Sequence, residues 1–215
     1  IAIGAYVWAE EAIQYLMIGL RKRGFKGKIV LGGPQISYMT DGLEETYPHA
    51  NLFVRGYGEL ALAGLALNPD EEIRGVHRAG EQDLAEQTVV DLAMMPSPWL
   101  TEVIDIKTQK FVRWESQRGC PFKCGFCQHK EPGARLTKRE FAPERINMEI
   151  DLFCEYGVND IAVLDPIFNA SSQSLSILQR FIANGYKGKL SLQCRAEMID
   201  DEFLNAAEQL NVQLE

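Results

Sequence analysis

The stretch RGCPFKCGFCQHK, residues 118–130, holds three of the five cysteines in this chain of 215 residues, at positions Cys120, Cys124 and Cys127. Their CxxxCxxC spacing lets three thiolates point at one small volume, and soft thiolates select zinc, copper(I) or iron–sulfur clusters. A structural zinc site needs a fourth ligand, which the neighbouring His129 could supply. Three cysteines alone fit a four-iron, four-sulfur cluster with one iron left open. The three cysteines are therefore the candidate metal ligands, and the fourth ligand is the question they raise.

Alternating strand and helix patterns surround this loop. The strand FVRWES leads directly into it, a helix is predicted from Pro143, and the strands DIAVLDP and KLSLQC follow with helical patterns after each. Such βα units, of about thirty residues each, suit either an open sheet or a (β/α) barrel. In both folds the active groups collect at the carboxyl ends of the strands. The cysteine loop is therefore predicted to occupy an active-site position.

The N-terminal part of the chain shows the same alternation. Short apolar strands are predicted in IAIGAY, KIVLGGP and LFVRGYGE, and the last two run into glycine-rich turns. Helical patterns separate these strands. Strand–helix alternation with glycines at the strand ends predicts a parallel, doubly wound sheet.

The alternation is interrupted once, after Asn68, where NPDEE and MMPSPW are typical of a connector. We therefore predict a first domain over residues 1–68, a connector over 69–105 and a second domain over 106–215. The chain begins at Ile1 and stops at Glu215 within a predicted strand. We accordingly expect a fragment of a longer protein.

Composition restricts the classes of function. The chain has 30 acidic and 22 basic residues and a formal charge of −8, which argues against a nucleic-acid partner because phosphate binding depends on clustered Lys and Arg. No apolar run is long enough to cross a bilayer, and no signal segment is visible. Five cysteines, an odd number and mostly clustered, predict a reducing cytoplasm and metal chemistry rather than disulfides.

The cysteine loop resembles the signature of the radical S-adenosylmethionine (SAM) enzymes. The resemblance rests on CxxxCxxC with Phe126 directly before the last cysteine, on the loop after the first strand of a βα series. It implies that the three cysteines hold three irons of a [4Fe-4S] cluster and that the amine and carboxylate of SAM chelate the fourth. It further implies that an electron cleaves SAM to methionine and a 5′-deoxyadenosyl radical. An electron donor of the flavodoxin or ferredoxin type and a small-molecule or peptide substrate are the implied partners.

The rest of the chain extends the resemblance to one branch of that family. IGAYVWAEEA, KIVLGGPQIS and NLFVRGYGELALAGL are similar to the later half of the cobalamin-binding domain that precedes the radical core there. VLDPIFN and LQCRAEMIDDEFL resemble the second and third strand segments of its barrel. The implied fold is α/β, a partial Rossmann-like parallel sheet of the cobalamin-binding type followed by the first half of a radical SAM (β/α)6 partial barrel. The reaction that this resemblance most commonly implies is methyl transfer to carbon with methylcobalamin as donor, and cyclisations and rearrangements are the alternatives.

The resemblance also implies residues that contact the cofactors. The Gly-Gly-Glu that often follows the second strand is absent, so Asp165 or Asn169 would stand in for it. Gln193 and Arg195 would bind the carboxylate or ribose of SAM if they face the barrel interior. Phe126 completes the candidates at the cluster, and the glycines expected to approach cobalamin are Gly32, Gly33, Gly56 and Gly58.

Other interpretations remain open for the sequence alone. The chain could be a non-catalytic zinc or iron–sulfur electron-transfer module, or a radical SAM enzyme whose N-terminal domain no longer binds cobalamin. The glycines could form plain turns, and Gln193 and Arg195 could be solvated at a sheet margin. Cys154 and Cys194 are predicted to be packed core thiols rather than ligands. Arg118 and Lys123 are expected to oppose the charge of a cluster.

Overall fold

The computed structural model describes residues 1–122, 124–127 and 139–215. These residues form two compact units, Ile1–Asp91 and Leu92–Glu215. Lys123 and His129, which the sequence places beside the cysteines, lie outside the described residues. Within the described part of the chain, no helix is long and apolar enough to span a membrane.

The first unit is a sheet with helices around it. Its strands are β1 (Ala2–Gly4), β2 (Val30–Gly32), β3 (Leu52–Val54) and β4 (Val76–Arg78), and its helices are α1 (Glu10–Lys22), α2 (Pro34–Tyr38), α3 (Leu43–Thr46) and α4 (Glu59–Leu67). The strands lie in the order β1-β2-β3-β4. The first three are parallel, and β4 is antiparallel to β3. The predicted parallel α/β sheet is confirmed, and β1 to β3 follow sequence order as in one half of a doubly wound fold.

Helices cover both faces of this sheet. Successive strand residues point to opposite sides, and because they are apolar in these strands, both faces must be buried. On one face, Leu31 and Phe53 are buried in the same cluster as Met17 of α1. On the other face, Val54 is buried in a second cluster together with Leu65 of α4. Burial on both faces explains why these strands read as continuous apolar runs rather than as alternating ones.

Strand β4 lies in the region that was predicted to be a connector. Residues 69–91 instead belong to the first unit, and β4 pairs with β3 so that His77 stands opposite Phe53. A strand of three residues among charged neighbours carries no periodicity that a sequence pattern could reveal.

The second unit is built from βα repeats. Its strands are β5 (Phe111–Trp114), β6 (Gln117–Arg118), β7 (Arg139–Glu140), β8 (Asp160–Val163), β9 (Lys189–Leu192) and β10 (Asn211–Leu214), and its helices are α5 (Pro143–Glu155), α6 (Ser174–Ala183) and α7 (Asp201–Ala207). Among the described residues, β5, β8, β9 and β10 form one parallel sheet in sequence order. Neighbouring parallel strands in unbroken sequence order are the arrangement of a (β/α) barrel. The short strands β6 and β7 pair antiparallel and flank the cysteine loop.

A buried polar network joins α5 to β5, which is the last strand of the sheet among the described residues. The Glu149 side chain is fully buried and accepts hydrogen bonds from Trp114 Nε1 at 2.7 Å and from Arg145 Nε at 3.0 Å. Arg145 also donates to the Met95 carbonyl at 2.7 Å and lies 4.0 Å from the centre of the Phe141 ring. Glu149 therefore accepts from the buried indole of Trp114 on β5 and from the partly buried guanidinium of Arg145 on its own helix.

We predict that Glu149→Ala lowers the free energy of unfolding by about 3 kcal/mol, because it leaves the partly buried Arg145 guanidinium and the buried Trp114 indole N–H without their carboxylate acceptor. Urea unfolding followed by tryptophan fluorescence measures the change. Glu155→Ala is the matched control, since Glu155 is exposed on the same helix, and its effect should stay within about 0.5 kcal/mol. Equal effects of the two substitutions would contradict this account of the network.

A second buried carboxylate holds the start of the cysteine loop. Asp165 follows β8 and is fully buried. It accepts hydrogen bonds from the backbone N–H of Ser116 at 2.8 Å and of Gln117 at 3.1 Å, and from the Ser116 hydroxyl. Burial raises the pKa of Asp165 to about 6, although the hydrogen bonds from Ser116 and Gln117 oppose the shift.

This raised pKa predicts a pH-dependent stability. A carboxyl group whose pKa is higher in the folded state stabilises the fold while it is protonated, and that contribution is lost as the pH rises through the folded pKa. The free-energy difference between the wild type and Asp165→Asn should therefore shift in favour of the variant between about pH 4 and pH 6. Urea unfolding at a series of pH values measures it. A difference that is constant over this range would show that Asp165 titrates normally.

Candidate functional site

The three cysteines line one cavity of about 320 Å³ in the second unit. We call it the thiol cavity, and its lining residues are Cys120, Phe122, Cys124, Phe126, Cys127, Pro166, Ile167, Gln193, Cys194, Arg195 and Glu215. These residues come from the cysteine loop and from the segments that follow β8, β9 and β10. All of them lie beyond the carboxyl ends of the parallel strands, which is where this class of fold places its active groups.

The cysteines differ in exposure within the thiol cavity. Cys120 is buried, whereas Cys124 and Cys127 are partly buried. The backbone N–H of Cys127 donates to the Cys124 carbonyl at 3.1 Å, so a tight turn joins the last two cysteines. Among residues 1–122, 124–127 and 139–215, no three His, Cys, Asp or Glu side chains are grouped as ligands of a metal ion. The cysteines thus share one cavity without being gathered around a single point.

Arg195 is a cationic side chain that lines the thiol cavity. Its guanidinium lies 4.0 Å from the centre of the Phe122 ring, which stands between Cys120 and Cys124 in the loop. It also forms an ion pair with Glu197. The hydrogen bond to Glu197 raises the pKa of Arg195, and interaction with Cys124 adds to the effect. Arg195 therefore links the end of β9 to the cysteine loop.

The other predicted cofactor contacts fall into two groups. Gln193 and Phe126 line the thiol cavity and are exposed, Phe126 to 93%. Asp165 and Asn169 are buried and are not among the lining residues. Asn169 donates to the Arg195 carbonyl at 2.8 Å and accepts from the Arg195 N–H at 3.0 Å. Both buried side chains therefore fix the backbone around the cavity, because their hydrogen bonds are made within the fold.

The sequence did not anticipate that Cys194 would line the thiol cavity. Alternation along β9 placed it on the core side with Leu190 and Leu192, but the strand ends at Leu192 and the alternation ends with it. Cys194 is partly buried, and burial raises its pKa to about 11. Cys154, by contrast, lies on α5 away from the cavity lining, and burial likewise raises its pKa to about 11. Both thiols were predicted to be packed in the core, but Cys194 lines the thiol cavity and Cys154 does not.

The four predicted glycines lie together in the first unit. Gly32, Gly33, Gly56 and Gly58 line one cavity of about 520 Å³, which we call the glycine cavity. It is open at the carboxyl ends of β1, β2 and β3, and Tyr6 lines it after β1. The Tyr6 ring stacks on the exposed ring of Trp8, with ring centres 4.9 Å apart.

The glycines serve two different purposes. Gly33 and Gly56 have φ values of 97° and 78°, and a Cβ would stand 3.0 Å from the Ala5 carbonyl oxygen and 2.6 Å from the Thr88 carbonyl oxygen, respectively. Their turns therefore need glycine for internal reasons. Gly32 and Gly58 have no positive φ, and a Cβ there would make only ordinary contacts of 3.5 Å or more. Their bare backbone widens the cavity without being required by the fold.

These features fit the groups that the sequence resemblance implies. Three thiols on one short loop are the donor set of an iron–sulfur cluster. A cavity bordered by bare backbone suits a bulky ligand that approaches the chain closely, although the glycine cavity has room for only a part of a molecule as large as cobalamin.

Comparison with curated proteins identifies relatives at modest identity. No protein-family profile matches the chain. It is 27% identical over 195 residues to the cobalamin-dependent radical SAM methyltransferase TokK of Streptomyces tokunonensis. It is 30% identical over 196 residues to the 2-(S-pantetheinyl)-carbapenam-3-carboxylate methyltransferase of Streptantibioticus cattleyicolor. Each alignment covers 82% of this chain and 28% of the relative, so the chain spans little more than a quarter of the length of these enzymes.

Comparison with solved structures identifies proteins that share the fold of this chain. The radical SAM methyltransferase TsrM of Kitasatospora setae, with tryptophan and a SAM analogue bound, matches 98% of this chain and 47% of its own with a TM-score of 0.70 at 19% identity. A structure of TsrM with cobalamin and a [4Fe-4S] cluster gives 0.69. This chain is therefore similar in sequence to cobalamin-dependent radical SAM methyltransferases and shares the fold of TsrM, which is the resemblance that its cysteine loop indicated.

Proposed function

We propose that the whole protein is a cobalamin-dependent radical SAM methyltransferase that transfers a methyl group to a carbon atom. The observation that carries this proposal is the thiol cavity, in which three cysteines of one loop meet the segments after three parallel strands. Its setting, in a chain related to enzymes of that description, supports the proposal.

In this proposal, Cys120, Cys124 and Cys127 hold a [4Fe-4S] cluster. When bound, the cluster supplies the electron that cleaves SAM to methionine and a 5′-deoxyadenosyl radical. Three cysteine ligands would leave the fourth iron without a protein ligand, so that the amine and carboxylate of SAM could chelate it. Gln193 and Arg195 stand in the same cavity with groups that suit the ribose and the carboxylate of SAM, and the exposed ring of Phe126 offers an apolar contact.

Asp165 and Asn169 have a different part in this proposal. Asp165 holds the backbone from which the cysteine loop starts, and Asn169 holds the backbone of Arg195 at the end of β9. They would fix the two sides of the thiol cavity so that cluster and SAM meet in one geometry. We expect their replacement to weaken SAM binding indirectly.

Cobalamin would bind at the glycine cavity and supply the methyl group. The chain contributes bare backbone at Gly32 and Gly58 and the Tyr6 ring, all of which line that cavity. We further propose a small-molecule or peptide substrate, an electron donor of the flavodoxin or ferredoxin type and a cytoplasmic location.

A second candidate function rests on Cys194. Because this thiol lines the cavity with the other three, it could close a cluster as a fourth ligand, which would make the protein an electron-transfer module without an open iron.

Iron content after anaerobic reconstitution of the whole protein separates the two candidates. We predict roughly four irons per chain in the wild type, as expected for a cubane cluster. Substituting any one of Cys120, Cys124 and Cys127 by Ala should remove most of this iron, because each supplies a ligand. Cys194→Ala should retain it.

Cys154→Ala is the matched control, since Cys154 is partly buried like Cys194 but lies outside the thiol cavity. Iron loss in Cys194→Ala equal to that in Cys124→Ala, with Cys154→Ala unaffected, would favour the electron-transfer candidate. A colourless protein that binds one zinc would contradict both.

A further inference from the structure

The two glycine turns of the glycine cavity come from different strands and share one side chain. Gly33 follows β2, and Gly56 follows β3. The Ser37 hydroxyl, on α2, donates to the Gly33 carbonyl at 3.0 Å and accepts from the Gly56 N–H at 3.0 Å. Ser37 itself is not among the residues that line the cavity. It is therefore placed to set the distance between the two turns without meeting a ligand.

A second hydroxyl holds the other side of the Gly56 turn. Thr88 Oγ1 lies 2.6 Å from the Arg55 carbonyl oxygen and 2.5 Å from the Tyr57 carbonyl oxygen. One hydroxyl proton thus serves two carbonyls that flank Gly56. The backbone of Thr88 adds a hydrogen bond from its N–H to the Arg55 carbonyl at 2.9 Å and forms a β-bridge with Gly56.

The segment that carries Thr88 is itself anchored to the unit. The buried Arg55 guanidinium donates to both carboxylate oxygens of Asp83, at 2.6 and 2.7 Å. Gln87 Nε2 donates to the Ser37 carbonyl at 3.0 Å. The pKa of Asp83 is lowered, chiefly by its hydrogen bond with Arg55. Ser37 and the segment 83–88 are thus connected to each other as well as to the Gly56 turn.

These contacts matter because the backbone of a glycine has more conformational freedom than that of any other residue. Gly56 has a φ of 78°, in a left-handed region that glycine adopts without steric cost and that other residues rarely adopt. The turn therefore has no side chain of its own to keep it in place. Its position is set by contacts from neighbouring segments, namely the β-bridge with Thr88 and the hydroxyls of Ser37 and Thr88.

We propose that Ser37 and Thr88 are positioning residues for the cofactor of the glycine cavity, acting through the Gly33 and Gly56 turns. This inference rests on the proposed function, which places cobalamin there. Loss of either hydroxyl removes one of the contacts that hold the Gly56 turn, so the bare backbone that the ligand meets is held less firmly, although the β-bridge with Thr88 remains.

Equilibrium binding of hydroxocobalamin to the whole protein, followed by its visible absorption, tests the inference. Ser37→Ala and Thr88→Val should each weaken binding about fivefold, the effect of one lost hydrogen bond. Ser37→Thr and Thr88→Ser keep a hydroxyl and should restore affinity. The double variant should lose less than the product of the single effects, because both residues act on one turn.

Ser176→Ala is the matched control. Ser176 lies on α6 in the second unit, and its hydroxyl donates one exposed hydrogen bond to the Gln173 carbonyl. It does not line the glycine cavity. It should leave affinity unchanged.

Amide hydrogen exchange provides a readout that needs no ligand. The Gly56 N–H should exchange faster in Ser37→Ala than in the wild type, whereas the thermal midpoint should shift little. Unchanged affinity and unchanged exchange in Ser37→Ala and Thr88→Val would overturn the inference and leave the proposed function standing. A wild-type protein that binds no hydroxocobalamin would overturn the cobalamin part of the proposed function and, with it, the ligand named here.

Discussion

Parallel pairing of β5 with β8 is the constraint on which the site depends. Residues Phe111 to Trp114 pair in parallel with residues Asp160 to Val163. The carboxyl ends of β5 and β8 therefore lie side by side at the same end of the sheet. Asp165 then continues the connection beyond the strands by accepting the N–H groups of Ser116 and Gln117. Because Cys120 is only three residues after Gln117, the start of the cysteine loop is fixed by the sheet and by the buried carboxylate of Asp165.

The same principle recurs in the first unit with different chemistry. There the carboxyl ends of β1, β2 and β3 carry glycines rather than thiols. A thiol loop needs an anchored origin because its side chains are the ligands. A glycine turn needs anchoring along its backbone, because the backbone is the surface that a ligand meets, and hydroxyl groups from neighbouring segments provide it.

Much of this arrangement could be predicted from the sequence. The apolar runs around Leu31, Phe53 and Ile161 indicated parallel strands, because burial on both faces leaves a pattern that survives without long-range information. The cysteine spacing indicated a group of metal ligands for a similar reason, and the resemblance to a cobalamin-binding domain drew attention to the glycines at the strand ends. Each depends on residue type at a short, fixed separation.

Features that depend on distant partners could not be predicted. β4 is too short to show periodicity, and it is a strand only because β3 lies beside it. Asp165 had the right position for a cofactor contact, but its hydrogen bonds go to residues about fifty positions earlier in the chain. Cys194 had the alternation of a core residue, yet the strand ends two residues before it. In each case the tertiary neighbour, not the local pattern, decided the role.

The central claim is that the thiol cavity holds a cluster with one iron open to SAM. It is tested most directly by the electron paramagnetic resonance spectrum of the reduced, reconstituted whole protein before and after SAM is added. The account predicts a change in the cluster signal, because the amine and carboxylate of SAM would replace a weak ligand on the unique iron. An unchanged spectrum in a protein with its full iron content would contradict it, since every iron would then already carry a ligand from the protein and none would be open to SAM.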